Sequence, residues 1–184
     1  MKNVLNLLKY YQTDTIPHTQ MTLYDHLVGT GNLLETWKCH ENLCLAGYFH
    51  SFYGTDGTGK KHVLKLSQRE ELQTAIGEEA EEIVYLYCIS QRRKYFKKRS
   101  ISEDTIPIIN RLTQEKIMIN YPQWLNLVIL DMANLLEEFD RLHWFQRKIG
   151  LYLYIYQFGY RQVLKYIPEP VQTEVKQKFT LSNN

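Results

Sequence analysis

Apolar residues recur at intervals of three and four along most of this chain, the spacing that one face of an α-helix produces. Three positions on these apolar faces hold polar residues instead: His26, His50 and Asp131, each on a separate predicted helix. An ionised carboxylate in a protein core is strongly unfavourable unless a partner compensates its charge. The pattern therefore predicts a helical fold with a polar site buried inside it.

No stretch alternates apolar and polar residues for long enough to make a sheet, so the predicted class is all-α, a helical bundle. The predicted helices begin near Val4, Thr22, Glu41, Gln68, Glu78, Ser102 and Pro122. Ser67 is the predicted cap of the fourth. Residues 145–167 continue as helix, and Pro168 and Pro170 precede a last amphipathic turn or two. At 184 residues the chain is predicted to be a single domain, 1–184, with its C-terminal helices (145–180) packed on the rest.

Composition excludes several classes of protein. A formal net charge of +2 gives no global basic field, which argues against a nucleic-acid partner. No apolar run approaches the roughly 20 residues that span a bilayer, so no membrane partner is expected. The three cysteines form no disulfide framework, and the N-terminus has no signal-type apolar stretch. A cytoplasmic protein is the expectation.

The three polar positions suit a metal ion. His26 lies beside Leu23 and Leu27 on its helix, and His50 and Asp131 follow apolar residues by the same spacing, so all three side chains should point inward. Imidazole and carboxylate together form a ligand set for Mn²⁺, Fe²⁺ or Zn²⁺, with positions left for water and substrate. The alternative is that each histidine is a hydrogen-bonded core residue, which is the commoner fate of a lone one. Spacing alone leaves both open.

Segments 24–27 (YDHL), 44–51 (CLAGYFHS) and 130–134 (LDMAN) resemble the HD-domain metal-dependent phosphohydrolases. The spacing of His26 and His50 is similar to that in the alarmone hydrolases of the RelA/SpoT type. The resemblance covers about residues 18–140. It implies a helical bundle around a divalent metal held by His26, His50 and Asp131, and hydrolysis of a small phosphorylated or nucleotide-like substrate by metal-activated water.

One departure from this family matters, because Ser51 stands where its His-Asp doublet has the aspartate. Serine is a neutral and weaker ligand, so the site has about one negative charge fewer. Three outcomes follow from the resemblance: a single metal bound through His26, His50 and Asp131, with or without His18 as a fourth group; different chemistry such as that of HD-like oxygenases or tailoring enzymes; or a catalytically silent binding module.

If catalysis survives, the resemblance implies roles for residues around the open side of the metal. Ser51, Tyr53, Thr55 and Arg69 are expected there, Tyr53 and Thr55 as substrate contacts and Arg69 as a bidentate phosphate group. Arg69 is equally consistent with a surface position on its helix. His18 is a fourth ligand, a general acid for the leaving group, or a loop residue before the helix.

Other motifs are weaker. Residues 54–60 fit the start of the phosphate-loop pattern, but Lys61 stands where that pattern needs Ser or Thr, and an all-α chain lacks the strand before the loop. That segment is better interpreted as a flap, beyond which His62 reaches the site if the flap folds back. The basic run 92–99 is interpreted as a solvated connection. Tyrosines on several sides of 152–160 suggest a buried helix or a homo-oligomer interface.

Overall fold

The computed structural model describes residues 2–18, 20–55, 62–91, 105–139, 143 and 163–181. The chain divides into two compact units, Met1–Ile89 and Ser90–Asn184. The prediction of a single domain stays a prediction. Several predicted features lie outside the described residues: most of the glycine-rich flap, the basic run 92–99, the cap at Ser102 and nearly all of the predicted helix 145–167.

The first unit is built from helices, as the apolar periodicity predicts, and the all-α class is confirmed. Its helices are α1 (Lys2–Tyr10), α2 (Leu23–Thr36), α3 (Glu41–Phe49), α4 (Arg69–Ile76) and α5 (Glu78–Ile89). One short ladder interrupts them, in which β1 (Pro17–His18) pairs antiparallel with β2 (Met21–Thr22). This ladder leads the chain directly into α2, so His18 lies close to the start of the helix that carries His26.

The start of α2 is fixed by its own sequence. The hydroxyl of Thr22 accepts a hydrogen bond from the backbone N–H of Asp25 at 3.2 Å, and the Asp25 carboxylate accepts one from the Thr22 N–H at 3.2 Å. This reciprocal capping satisfies two N–H groups that a helix N-terminus leaves unpaired. His26 then falls in the first turns of α2 and faces the core, where it is 1% exposed.

The two helices that carry the histidines approach closely through glycines. A Cβ atom on Gly31 of α2 would lie 2.5 Å from the ring of Tyr48 on α3. A Cβ atom on Gly47 would lie 2.5 Å from a methyl carbon of Leu34 and 3.2 Å from the Cα of Gly31. A Cβ atom at either position would force a neighbouring group to shift, so the glycines set the spacing of α2 and α3.

Gly31→Ala is expected to destabilise the protein by about 1–3 kcal/mol, because the added methyl group overlaps a buried aromatic ring. Gly47→Ala is the matched control, since its closest contact is the tip of a flexible leucine side chain, and we expect a smaller loss. Chemical denaturation of both variants measures the difference. Equal losses in the two variants would contradict the assigned close contact at Tyr48.

The start of α4 corrects one sequence prediction. Ser67 does not cap this helix, because it lies inside a 3₁₀ turn (Leu66–Gln68) that precedes α4. The side chain of Gln68 instead accepts a hydrogen bond from the backbone N–H of Lys65 at 3.0 Å. Helix α4 therefore begins at Arg69, about one turn after Lys65, whose backbone N–H this hydrogen bond satisfies.

The second unit contains a feature that the sequence analysis missed. Strand β3 (Thr105–Ile109) pairs antiparallel with β4 (Lys116–Asn120), and Ile106, Ile108 and Ile119 turn inward. The prediction that no stretch alternates for long enough to make a sheet is wrong here, and so is the helix predicted to begin near Ser102, since residues 105–109 form β3. β-branched isoleucines favour strands, but each strand has only five residues and β3 contains a proline, which hides the alternation.

Two helices complete the described part of the second unit, α6 (Tyr121–Phe139) and α7 (Glu169–Leu181). Helix α6 begins where Pro122 predicts it, because proline suits the first turn. Helix α7 is longer than the turn or two predicted. Within the described residues no helix is both long and apolar enough to cross a membrane.

Candidate functional site

The first unit brings His26 and His50 into direct contact. His50 directly follows the last residue of α3, and it is 1% exposed, like His26. The Nε2 atoms of the two rings are 3.1 Å apart, and the rings meet edge to face with centroids 4.9 Å apart. Two imidazoles positioned by successive helices, 24 residues apart in the sequence, thus converge through a single pair of nitrogen atoms.

The protonation of His50 follows from its other nitrogen. Its Nδ1 lies 2.8 Å from the carbonyl oxygen of Gly47, which can only accept a hydrogen bond. Nδ1 must therefore carry the proton and donate it, which leaves the lone pair of Nε2 directed at His26. Histidine ligands of metals are generally set in this way, with one ring N–H donated to a backbone carbonyl or a carboxylate.

Helix α5 holds His50 from the other side. The ring of Tyr87 packs edge-on against the imidazole, with centroids 5.6 Å apart, and the Cys88 thiol donates to the carbonyl oxygen of His50 at 3.1 Å. Both α5 residues are fully buried. His50 is therefore held by α3 through its ring and by α5 through its ring face and backbone.

His18 extends the pair to three histidines. Its ring stacks on that of His26, with centroids 4.3 Å apart and an interplanar angle of 21°. One ring nitrogen of each residue lies within 4.8 Å of the other. Because β1 is only half-buried at His18, this ring connects the buried pair with the surface of the unit.

The histidine pair fits a divalent ion. Two nitrogens that ligate one ion at about 2.0–2.1 Å and subtend about 90–110° lie roughly 2.9–3.4 Å apart. The observed 3.1 Å between the two Nε2 atoms falls in that range. The same separation also suits a hydrogen bond in which the Nε2–H of His26 donates to the Nε2 of His50. The pair is therefore satisfied with or without an ion.

Ser51, the residue that departs from the HD pattern, is 5% exposed. Its Oγ is buried and makes no hydrogen bond within the described part of the chain. A buried polar group without a partner costs about 1–3 kcal/mol. The Ser51 hydroxyl, on the residue that directly follows His50, can therefore still form hydrogen bonds to a ligand.

A small pocket opens beside these groups. Its volume is about 70 Å³, and its polar lining comes from His18, Ser51 and His62. Apolar side chains, among them Ile16 and Leu23, line the rest. His62, which follows the glycine-rich segment in the sequence, thus lines the same pocket as His18 and Ser51.

Tyr53 and Arg69 lie elsewhere, in a network around Glu81 of α5. The Glu81 carboxylate accepts from the Tyr53 hydroxyl at 2.9 Å, from Arg69 Nε at 2.8 Å and from Arg69 Nη2 at 2.6 Å. Gln73 donates a fourth hydrogen bond at 3.1 Å. Glu81 is fully buried, so these four bonds compensate the loss of its hydration.

This network changes the assignment of two predicted site residues. The Arg69 guanidinium also binds Glu82 at 2.6 Å and lies 3.7 Å from the centre of the Tyr85 ring. A substrate phosphate would have to displace a buried carboxylate, so the structure gives Arg69 a structural role. Tyr53 is likewise engaged by Glu81, and among the described residues that line the pocket neither Tyr53 nor the buried Thr55 appears.

The sequence analysis missed Glu81, although a signal was present. Glu81 precedes Val84 by three residues and lies on the apolar stripe of α5 with Cys88, in the same way that Asp131 lies on the stripe of α6. Glu81 is one of several acidic residues near the start of α5, and the helix dipole by itself accounts for acidic residues in a first turn. Its position on the buried face was the informative part.

Comparison with known proteins adds one finding. Residues 7–92 match the model of a family described as a domain of unknown function, DUF6817. The matched range includes the three histidines and Ser51 and ends close to the boundary of the first unit. No curated protein and no solved structure matched the chain.

Asp131, the third predicted ligand, belongs to the second unit. It is 4% exposed on α6, among the buried residues Leu127, Val128 and Leu135 of the same stripe. Its predicted inward orientation on this helix agrees with that burial. Its role as a metal ligand stays a prediction.

Two hydrogen-bonded phenols, the buried Tyr53 and the half-buried Tyr11, give the first unit an alkaline limit. Burial, and then the hydrogen bond to Glu81, raises the pKa of Tyr53 far above that of a free phenol. The same two causes, with Glu71 as partner, raise the pKa of Tyr11 to about 12. Because folding favours the neutral phenols, their contribution to stability is complete below about pH 10 and is lost as pH rises through 12.

We expect the free energy of unfolding to fall steeply above about pH 10, with phenolate absorbance appearing together with unfolding. Denaturant titrations at a series of pH values measure this slope. Replacing Tyr11 and Tyr53 by phenylalanine should flatten it. A slope that is unchanged in that double variant would contradict the assignment.

Proposed function

We propose that this protein is a divalent-metal-dependent hydrolase of a small phosphorylated molecule, with the ion held by His26 and His50. The observation that carries the proposal is the 3.1 Å separation of the two Nε2 atoms, together with the donation from His50 Nδ1 to Gly47 that directs its Nε2 lone pair toward His26. The resemblance to HD phosphohydrolases adds Asp131 as a third ligand, and that part depends on the sequence alone.

When bound, the ion supplies a Lewis acid for a phosphoryl oxygen and hydroxide near neutral pH. The residues of the chain then have separate tasks. His26 and His50 hold the ion in a dry site, because both are 1% exposed. His18 lines the pocket and is half-buried, so it has both the access and the chemistry to give a proton to a leaving group.

Further parts of the proposal concern the ion and the surroundings of the protein. Mn²⁺, Fe²⁺ and Zn²⁺ all suit imidazole and carboxylate ligands. With Ser51 replacing a carboxylate, we expect one ion per chain. The three cysteines are free thiols, which suits a reducing compartment, and we place the enzyme in the cytoplasm on that ground.

The test uses the full chain, stripped with a chelator and reconstituted separately with each of the three ions. Metal content is measured by mass spectrometry, and phosphate release is measured on small phosphomonoesters and on nucleoside mono-, di- and triphosphates. We expect about one equivalent of ion and phosphate release only from the loaded protein. Metal content equal to that of a His26→Gln, His50→Gln variant would overturn the proposal.

A second candidate, a binding module without catalysis, is favoured by one observation. The two histidines satisfy each other through a hydrogen bond, so the fold needs no ion to bury them. In this case the wild-type chain takes up ion or binds a phosphorylated compound without turning it over. Stoichiometric metal with no phosphate release from any compound in the screen would favour this candidate.

A further inference from the structure

The hydroxyl of Ser51 is the starting point, because it is buried and has no hydrogen-bond partner within the described residues. Buried polar atoms in folded proteins nearly always have a partner, and the exceptions call for an explanation. Ser51 also lines the pocket, so its free hydrogen-bonding capacity is directed to a space that a ligand can enter.

The size of the pocket limits that ligand. At about 70 Å³ it is less than half of the roughly 150 Å³ cavity that accommodates benzene. A nucleoside is therefore too large for it, whereas a group of a few heavy atoms fits. One part of the lining is apolar, and the polar part presents one hydroxyl and two imidazoles.

We infer that Ser51 is the specificity-determining group of a subsite for one phosphoryl group, and that its hydroxyl donates to a phosphoryl oxygen. A tetrahedral oxyanion has several acceptor oxygens, and Ser51, His18 and His62 supply the polar part of the pocket lining. The described lining contains neither lysine nor arginine, and we assign the charge balance of the anion to the ion proposed at His26 and His50. This inference rests on the proposed function.

It also explains why serine is tolerable beside the histidine pair. An aspartate at position 51 would place a negative charge against the anion, whereas a serine hydroxyl donates to it. The unsatisfied hydroxyl is then a stability cost that phosphate binding removes.

The experiment measures thermal unfolding of the full chain with Mn²⁺, with and without inorganic phosphate. Wild type, Ser51→Ala and Ser67→Ala are compared, the last being an exposed serine away from the pocket. At ten times its Kd, phosphate should raise the Tm of wild type and of Ser67→Ala by about 3–5 °C. In Ser51→Ala the phosphate Kd should rise at least about 10-fold, which corresponds to a lost hydrogen bond to a charged group.

A second readout separates ligand binding from a structural role. Without phosphate, Ser51→Ala should melt at or above the Tm of wild type, because the variant buries no unpaired hydroxyl. A lower Tm combined with an unchanged phosphate shift overturns the inference. Loss of Mn²⁺ from Ser51→Ala also overturns it, since Ser51 would then be a metal ligand.

The same experiment separates this inference from the proposed function. If Mn²⁺ binds and Ser51→Ala keeps the full phosphate shift, the subsite is wrong and the metal site stands. If Mn²⁺ does not bind, the proposed hydrolase and the charge balance by an ion are both wrong, and a phosphate shift that is lost in Ser51→Ala then supports only the contact with the hydroxyl.

Discussion

His50→Ala should lower metal affinity at least about 100-fold and abolish phosphate release, because it removes one of two imidazoles that together define the ion position. His26→Ala should do the same. Equilibrium dialysis with metal analysis measures the affinity, and initial rates of phosphate release measure the activity. The rate should not recover at higher substrate concentration, since the loss concerns the ion and not substrate binding.

His143→Ala is the control for this prediction, because His143 is an exposed histidine of the second unit. It should keep both metal and activity. Since His50→Ala also opens a cavity, its circular dichroism and Tm establish whether the fold survives. A folded His50→Ala variant that binds ion as tightly as wild type contradicts the metal site.

The convergence of His26 and His50 was accessible from sequence because both signals are local. Each histidine replaces an apolar residue on a helical stripe, and the connection between α2 and α3 is short, so the two helices become neighbours. The start of α2 was also predictable, because Thr22 and Asp25 form a capping pair within four residues.

The roles of Tyr53 and Arg69 were not accessible in this way. Arg69 follows the flap in sequence, which suggested the open side of the site, but its partner Glu81 lies on the next helix. Four acidic residues lie at the start of α5, and the position of the Arg69 guanidinium depends on which of them faces inward. That choice depends on the packing of α4 on α5, which sequence spacing does not give.

The hairpin of the second unit shows the same limit for a fold element. Ile106 and Ile119 face each other across the pair, and each strand is too short to show a clear period by itself. Their pairing is a contact between segments that the chain brings together only on folding. Periodicity detects helices well because a helix repeats its pattern over many residues, and short strands do not.

Arg69→Ala should destabilise the protein by about 3 kcal/mol, because it leaves the fully buried carboxylate of Glu81 without its charged partner. We take the lower end of the range for a broken buried pair, since the Arg69 side chain is 28% exposed and solvent screens part of the interaction. Tyr53 and Gln73 remain as donors to Glu81, but neither carries a charge. Denaturant unfolding measures the loss.

Glu82→Gln is a matched control, because Glu82 binds the same Nη2 atom at 2.6 Å with a side chain that is 43% exposed. An exposed ion pair of this kind contributes at most about 1 kcal/mol, so this variant should be close to wild type. Arg69→Met combined with Glu81→Leu should recover most of the lost stability, because replacing a buried pair by apolar residues is often neutral.

The Arg69 variant also distinguishes a structural arginine from one that binds substrate. If Arg69 binds phosphate, its substitution should raise KM and leave the free energy of unfolding nearly unchanged. If its role is the ion pair with Glu81, substitution should lower the free energy of unfolding and leave KM nearly unchanged. Arg69→Lys should recover little stability, because an ammonium group cannot reproduce the two-pronged contact of Nε and Nη2 with both carboxylate oxygens. A raised KM in a fully stable Arg69→Ala variant would show that Arg69 binds substrate. It would also contradict the stabilising ion pair with Glu81.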